Sequence, residues 1–288
     1  MQANEFKARP GTLYIVATPI GNLRDITLRA LDILKTADLV AAEDTRTTGG
    51  LLSAYGIPAK LFACHEHNER SAAAALVEKL GEGKSVALVS DAGTPGISDP
   101  GAVVVRAARA AGLPVVPLPG PSAVATALSA AGLDGDWLFH GFLPHKAGER
   151  RRELEAMAGL HPALVFYESP HRILDTVADL AAVLGGTRRL VVARELTKLF
   201  EEFHECRLAE AVDWLRSDNN RQRGEFVLIV SGCPAGADDG LQEARRVLEI
   251  LLEDLPASQA ARLAARLTGA KKNALYDLAQ QLKSEPTE

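Results

Sequence analysis

Five short apolar runs, each followed by a helical stretch and each ending in glycine, proline or polar residues, set the tightest limit on how this chain folds. Leu13–Thr18, Leu39–Ala42, Lys60–Cys64, Ser85–Ser90 and Pro114–Leu118 read as strands. Thr27–Ala37, Thr45–Tyr55, Asn68–Leu80, Ala102–Ala111 and Ser122–Ala131 read as the helices between them, the last four closed by Gly56, Gly81, Gly112 and Gly132. Strands that are apolar along their whole length and alternate with helices form a parallel sheet covered on both faces. Ligands of such sheets collect beyond the carboxyl ends of the strands. Here those ends are Thr18-Pro19-Ile20-Gly21, Glu43-Asp44-Thr45-Arg46, His65-Glu66-His67-Asn68, Ser90-Asp91-Ala92-Gly93 and Pro119-Gly120-Pro121-Ser122. Five polar, turn-forming ends on apolar strands predict a ligand-binding rim.

After Leu133 the pattern changes. Trp137–Phe142, Leu164–Glu168, Leu190–Glu195, Phe200–Arg207 and Glu225–Ser231 read as strands, with Pro170–Leu184 and Leu208–Arg216 as helices between them. The two strands within Leu190–Arg207 are joined by a short turn and are expected to be antiparallel. Leu241–Glu253, Ser258–Leu267 and Lys271–Leu282 are amphipathic and separated by Pro256 and Gly269. The fold class expected is therefore α/β. A flexible N-terminus (1–12) leads into a parallel doubly wound domain (13–133), then a second domain with a mixed sheet (134–233) and a small C-terminal helical appendage (238–284).

Cys64, Cys206 and Cys233 are odd in number and match no metal-ligand spacing, which suits a reducing cytoplasm. No apolar run reaches the roughly 18 residues of a membrane span, and the N-terminus lacks a signal-peptide core. A net charge of −5 excludes a protein that coats nucleic acid by bulk electrostatics. Any RNA contact must use local basic patches: Arg46, the cluster Lys146, Arg150, Arg151 and Arg152, Arg188/Arg189, Arg216/Arg221/Arg223, or Lys271/Lys272.

The segment from Ser90 to Gly101 packs three glycines and two prolines into one turn, so its backbone can approach a ligand closely. It is neither a P-loop nor a dinucleotide fingerprint. Asp91, Thr94, Ser98 and Asp99 can bond ribose hydroxyls or an amine; the alternative is an elaborate turn in which Asp99 caps the next helix. Pro121 and Ser122 open a helix whose free amides face the same rim.

These segments, with Leu13 to Leu23, Ala42 to Arg46, His65 to Asn68, Phe166-Tyr167-Glu168-Ser169-Pro170-His171-Arg172, Ala193 to Lys198 and Arg223 to Phe226, resemble the tetrapyrrole-methylase superfamily. Within it they are most similar to the branch of 16S ribosomal RNA cytidine 2′-O-methyltransferases. The one departure is Thr47-Thr48-Gly49-Gly50, where that branch leads one to expect basic residues. The resemblance implies S-adenosylmethionine as cofactor, a homodimer, and 16S ribosomal RNA or the small subunit as partner. It implies cofactor contacts at Pro19, Asp91, Gly93, Thr94, Ser98, Ser122, Ala123 and Tyr167.

A ribose hydroxyl is a weak acid, so methylating it calls for a base or a cation at the nucleophile. Glu168 with Arg172, and Arg194, Glu195 and Lys198, are the catalytic candidates, with Glu43/Asp44 and His65/His67 also open. Glu168 is expected to face the cleft across from the cofactor. His65-Glu66-His67 lacks a third ligand, so no metal is expected. A small-molecule tetrapyrrole methyltransferase and a ribosome-assembly factor without catalysis are the alternative readings.

Overall fold

The computed structural model describes residues 6–234, 239–270 and 272–284. By its contacts the chain divides into two units, Met1–Ala156 with Pro162–Ser231, and Met157–His161 with Gly232–Glu288.

In the first unit, β1 (Leu13–Val16), β2 (Leu39–Ala42), β3 (Leu61–Ala63), β4 (Val86–Val89) and β5 (Val115–Leu118) form a parallel sheet in the order β3-β2-β4-β1-β5. Successive side chains of a strand point to opposite faces. Tyr14 and Val16 of β1, with Ala87 and Val89 of β4, join one core with Ile33 and Leu34 of α1 (Leu28–Thr36) and Leu52 of α2 (Thr45–Ala54). Leu13, Ile15, Val86 and Leu88 enter the opposite core with Leu76 of α3 (Glu69–Gly81) and Val104 of α4 (Ala102–Ala110). This two-sided burial is why the strands carry no polar alternation, and the expected doubly wound sheet is present. The chain ahead of β1 is tied to α1 from residue 6: Phe6 N–H donates to Asp32 and Ala8 N–H to Thr36.

The second sheet holds β6 (Trp137–Phe142), β7 (Ala163–Glu168), β8 (Arg189–Arg194), β9 (Glu202–Arg207) and β10 (Phe226–Val230) in the order β6-β7-β10-β8-β9. Only β6 and β7 are parallel; β8 and β9 pair antiparallel, as their short connection requires. One face is covered by Val124 and Ala127 of α5 (Ala123–Ala130), the helix that leaves β5. That packing joins the two sheets in one unit. On the same chain lie α7 (Ile173–Leu184) and α8 (Leu208–Arg216). The sequence reading missed α6 (Ala147–Met157), whose run Glu149-Arg150-Arg151-Arg152-Glu153 carries no apolar stripe.

The second unit contains α9 (Asp239–Asp254), α10 (Ala257–Thr268) and α11 (Lys272–Ser284), packed around Leu248, Ala260, Ala261, Ala264 and Leu275. Gly269 ends α10 in the left-handed conformation, which glycine adopts without penalty. Lys271 lies outside the described residues. Among those described, no helix is long and apolar enough to cross a membrane.

Candidate functional site

The carboxyl ends of the parallel strands are laced together. Thr18 and Gly93 exchange backbone hydrogen bonds of 2.8 and 3.0 Å, and Thr18 Oγ1 donates to Ser90 O at 3.0 Å. Thr94 Oγ1 donates to Pro121 O at 2.9 Å, fixing the glycine-rich turn against the start of α5. Asp44 N–H donates to Asp91 at 3.0 Å, and Asp91 N–H to Glu43 at 3.3 Å. Within the turn Gly93 has φ +80°, and Ser98 holds φ +64°, a strained conformation for a residue with a Cβ. The amides of Gly101 and Val103 at the head of α4 are bound by Glu69, at 2.7 and 3.0 Å. Glu69 therefore caps α4, and Asp99 is released from the capping role considered for it.

Above this rim lies a cavity of about 320 Å³. From the first sheet it is walled by Ile20, Gly93, Thr94, Ser98, Asp99, Ser122 just ahead of α5 and Ala123 at its start; from the second by Phe142, Tyr167, Leu196, Glu225 and Val227. Six of the eight cofactor positions taken from the sequence meet here; Pro19 and Asp91 do not line it. Ser122 caps no amide with its side chain, while Tyr167 OH accepts from Val124 N–H at 3.2 Å. The apolar walls suit an adenine ring and a methylene chain. The glycine turn, the free Ser122 hydroxyl and the amides at the helix start suit polar groups. Burial drives Asp99 from its ordinary value of 3.8 up to about 6, with Glu43 and Asp91 adding repulsion against a hydrogen bond from Ser90. A carboxylate whose charge is disfavoured by burial and by neighbouring carboxylates suits a cationic ligand.

A strained loop from the second sheet closes the cavity. Glu195 and Thr197 have φ of +52° and +66°. Lys198 Nζ is held between Glu195 Oε1 at 2.7 Å and Glu225 Oε2 at 2.9 Å. Burial works to lower Lys198, but the hydrogen bonds to both glutamates outweigh it and raise its pKa, so it stays charged. Burial works to raise Glu195, but the bonds from Lys198 and the Glu225 amide, with the charges of Lys198 and Arg194, hold it below the ordinary range. Gly21 lies so close to this loop that a Cβ on it would fall 2.5 Å from Lys198 Cγ and 2.9 Å from Leu196 O. Glu225 was missed among the sequence candidates: Arg223 to Phe226 was among the segments carrying the resemblance, but its partner Lys198 lies far off in sequence, so the residues alone gave it no role.

The other candidates are placed differently. Glu168 lies at the cavity wall, but its side chain is fully buried. Its carboxylate accepts from Ser169 N–H at 2.7 Å and Thr176 Oγ1 at 2.5 Å, and pairs with Arg172 Nη2 at 3.2 Å. It fastens the start of α7 and does not open onto the cleft as expected. Arg194 is buried too, bonded to Glu202 and to the carbonyls of Asn220 and Arg223, so it braces the loop ahead of Glu225 and does not reach the cavity.

Arg150 corrects the basic-patch reading. It is only 4% exposed and pairs with Asp179 at 2.6 Å, while its Nη1 donates to Pro144 O and His145 O. Arg151 also pairs with Asp179, at 2.6 Å, from a half-exposed position. Lys146 and Arg152 remain on the surface, as does Arg46, which pairs with Asp44 at 2.7 Å. No group of three His, Cys, Asp or Glu that could hold a metal occurs among the described residues.

The chain is similar to known proteins along nearly its whole length. Residues 12–212 match the family described as Tetrapyrrole (Corrin/Porphyrin) Methylases, and residues 238–283 match a domain described as RsmI C-terminal HTH domain. Ribosomal RNA small subunit methyltransferase I of Escherichia coli O157:H7 is 54% identical over 93% of this chain and 94% of its own. The protein of the same name from Pseudomonas aeruginosa is 53% identical over 94% of this chain and 97% of its own. Among solved structures, the methyltransferase CobJ aligns over 77% of this chain and 95% of its own with a TM-score of 0.59 at 20% identity. Uroporphyrin-III C-methyl transferase from Thermus thermophilus complexed with S-adenyl homocysteine aligns over 76% of this chain and 97% of its own, with a TM-score of 0.55 at 18% identity. At such identities the structural likeness concerns the fold.

Proposed function

The chain belongs to the tetrapyrrole (corrin/porphyrin) methylase family, and from that premise we propose that it transfers a methyl group from S-adenosylmethionine to a cytidine 2′-hydroxyl of 16S ribosomal RNA. The observation that carries this reading is the cavity: apolar walls, a glycine turn, the Ser122 hydroxyl and the carboxylates of Asp99 and Glu225 together fit a cationic adenosyl amino acid. When bound, S-adenosylmethionine supplies a methyl carbon activated by its sulfonium.

Gly93, Thr94, Ser98, Ser122, Ala123 and Tyr167 hold the cofactor in this reading, and Asp99 balances its positive charge. Lys198 does not itself line the cavity, but its charge is held at 2.9 Å on the cavity-lining Glu225, and in this reading it is the cation that offsets the negative charge growing on the attacking oxygen. Attack would form the C–O bond as the C–S bond of the bound cofactor broke, with its electron pair left on sulfur, so the residues here would have to orient the ribose oxygen and accept its proton. The hydroxyl proton leaves to the Glu225 carboxylate, which lines the cavity and is mostly exposed. Glu195 positions Lys198, and Arg194 positions the loop that carries Glu225. Lys146, Arg152 and Arg46 are the surface cations offered to RNA phosphates.

The protein is assigned to the cytoplasm, where its RNA substrate is made. A homodimer is favoured by Leu199 and Phe200, which are 89% and 67% exposed on the β8–β9 turn; sedimentation of Phe200→Glu as a monomer would support that contact.

The test is transfer of labelled methyl from S-adenosylmethionine to small-subunit particles, to naked 16S RNA and to uroporphyrinogen. Label on a cytidine 2′-oxygen supports the reading; label on the tetrapyrrole alone overturns it. In single turnover, Lys198→Met should lose about 10²–10³-fold in rate, the usual worth of a preorganised charge, with cofactor affinity retained.

A further inference from the structure

Beside the cofactor cavity, and sharing Phe142 and Ser169 with it, runs a groove of about 590 Å³ lined also by Leu143, Pro144, His145, Glu153 and Arg172. Its wall is rigid for a reason visible in the hydrogen bonds. Arg150, anchored on Asp179, donates to Pro144 O at 3.4 Å and His145 O at 3.2 Å. Arg172, anchored on Glu168, donates to Leu143 O at 2.7 Å and Pro144 O at 3.3 Å. Two buried ion pairs thus clamp a three-residue segment that has no regular structure of its own. Such investment in a loop beside a cavity suits a surface that must hold one shape.

The chemistry lining the groove is specific. Phe142 meets the Tyr167 ring edge-on, with centroids 5.6 Å apart, and is still 53% exposed at the junction of groove and cavity. Nη2 of Arg172 bonds Leu143 O, Pro144 O and Glu168, while its Nε is buried without a hydrogen-bond partner among the described residues. Glu153 has one oxygen 3.4 Å from His140 Nε2 and a side chain 41% exposed. A stacking surface, a guanidinium donor and a carboxylate acceptor therefore line one slot. Glu153 disfavours a phosphate there, because the carboxylate would repel it.

We infer that this groove receives the base of the methylated nucleotide, drawn out of its stack, and selects cytosine over uracil. The inference rests on the functional reading above and names the part of the site that reads the substrate. Cytosine presents an exocyclic amine beside a ring acceptor and a carbonyl. The amine donates to Glu153, the O2 and N3 side accepts from Arg172, and the ring lies on Phe142. Uracil turns a carbonyl toward Glu153, setting two acceptors against each other. An aromatic surface and edge bonds are the usual means of holding an unstacked base.

The experiment uses the whole protein with small-subunit particles carrying cytidine or uridine at the methylated position. Glu153→Gln keeps the shape of the side chain and can turn an amide N–H toward uracil. Its kcat/KM on cytidine particles should fall, and the cytidine-to-uridine ratio should drop by about 10- to 100-fold, the range of one base-specific contact. Melting temperature and S-adenosylmethionine affinity should stay at the wild-type level. Arg172→Lys, which keeps a cation beside Glu168, should raise KM for both particles by about tenfold or more. An unchanged ratio in a folded Glu153→Gln enzyme whose wild type methylates cytidine overturns this inference alone. A wild type that methylates neither particle overturns the functional reading, and this one with it.

Discussion

Replacing Gly21 by alanine puts a methyl group 2.5 Å from Lys198 Cγ, 2.9 Å from Thr197 Oγ1 and 2.9 Å from Leu196 O. Carbon atoms in contact settle roughly 3.5–4.0 Å apart, so Lys198 Cγ must retreat by about 1 Å. It cannot retreat freely, because its Nζ is held at 2.7 Å by Glu195 and 2.9 Å by Glu225. Leu196 O cannot swing away either, since it is backbone in a loop whose neighbours already occupy the left-handed region. Overpacking of this kind costs about 1–3 kcal/mol, and partial loss of a half-exposed ion pair adds up to about 1 kcal/mol. Gly21→Ala should therefore unfold about 2–3 kcal/mol more easily in urea. Its single-turnover methylation should slow at least about tenfold as the ammonium is displaced. In a Lys198→Ala background the closest contact disappears, and the cost of Gly21→Ala should shrink to roughly half, a coupling of about 1 kcal/mol or more. Strict additivity of the two substitutions, or a Gly21→Ala enzyme with wild-type stability and rate, would refute the argument that this glycine exists to let the catalytic loop approach.

Arg150 and the exposed cations should separate cleanly. Arg150→Ala leaves Asp179 buried with only Arg151 as partner and should cost about 3–5 kcal/mol in a denaturant titration, whereas Lys146→Glu with Arg152→Glu should flatten the salt dependence of RNA binding at unchanged stability. Asp99 sets a pH dependence of opposite sign with and without cofactor. Its pKa is raised in the folded protein, so the stability it contributes is full below 3.8 and lost as pH rises through about 6. A cationic ligand favours the ionised form, so S-adenosylmethionine should bind more tightly as pH rises through about 6. Asp99→Asn should remove both slopes in parallel calorimetric and melting series, and a wild-type affinity that is flat from pH 5 to 7 would refute the charge-balance role.

The residues that were legible in the sequence are those whose local pattern is also their function. Gly93, Thr94 and Ser98 sit in a turn whose glycines and prolines announce a special backbone, and they line the cavity. Strands such as Val86–Val89 are buried on both faces and show it as unbroken apolar runs. The misreadings arise where a side chain's partner is distant in sequence. Arg150 stands in a run of three arginines that looks solvated, and only Asp179, twenty-nine residues on, turns it inward. Glu168 sits in a motif suggestive of chemistry, yet Thr176 and Arg172 occupy its carboxylate. These two buried acids do related things. Asp179 holds Arg150, Glu168 holds Arg172, and both arginines grip the carbonyls of Leu143 to His145. What a sequence presents as two separate clusters, one for RNA and one for catalysis, is therefore a single scaffold that shapes one wall of the groove beside the cofactor. Loss of either acid should loosen that wall before it touches the chemistry, raising KM for RNA more than it lowers the rate at saturating substrate.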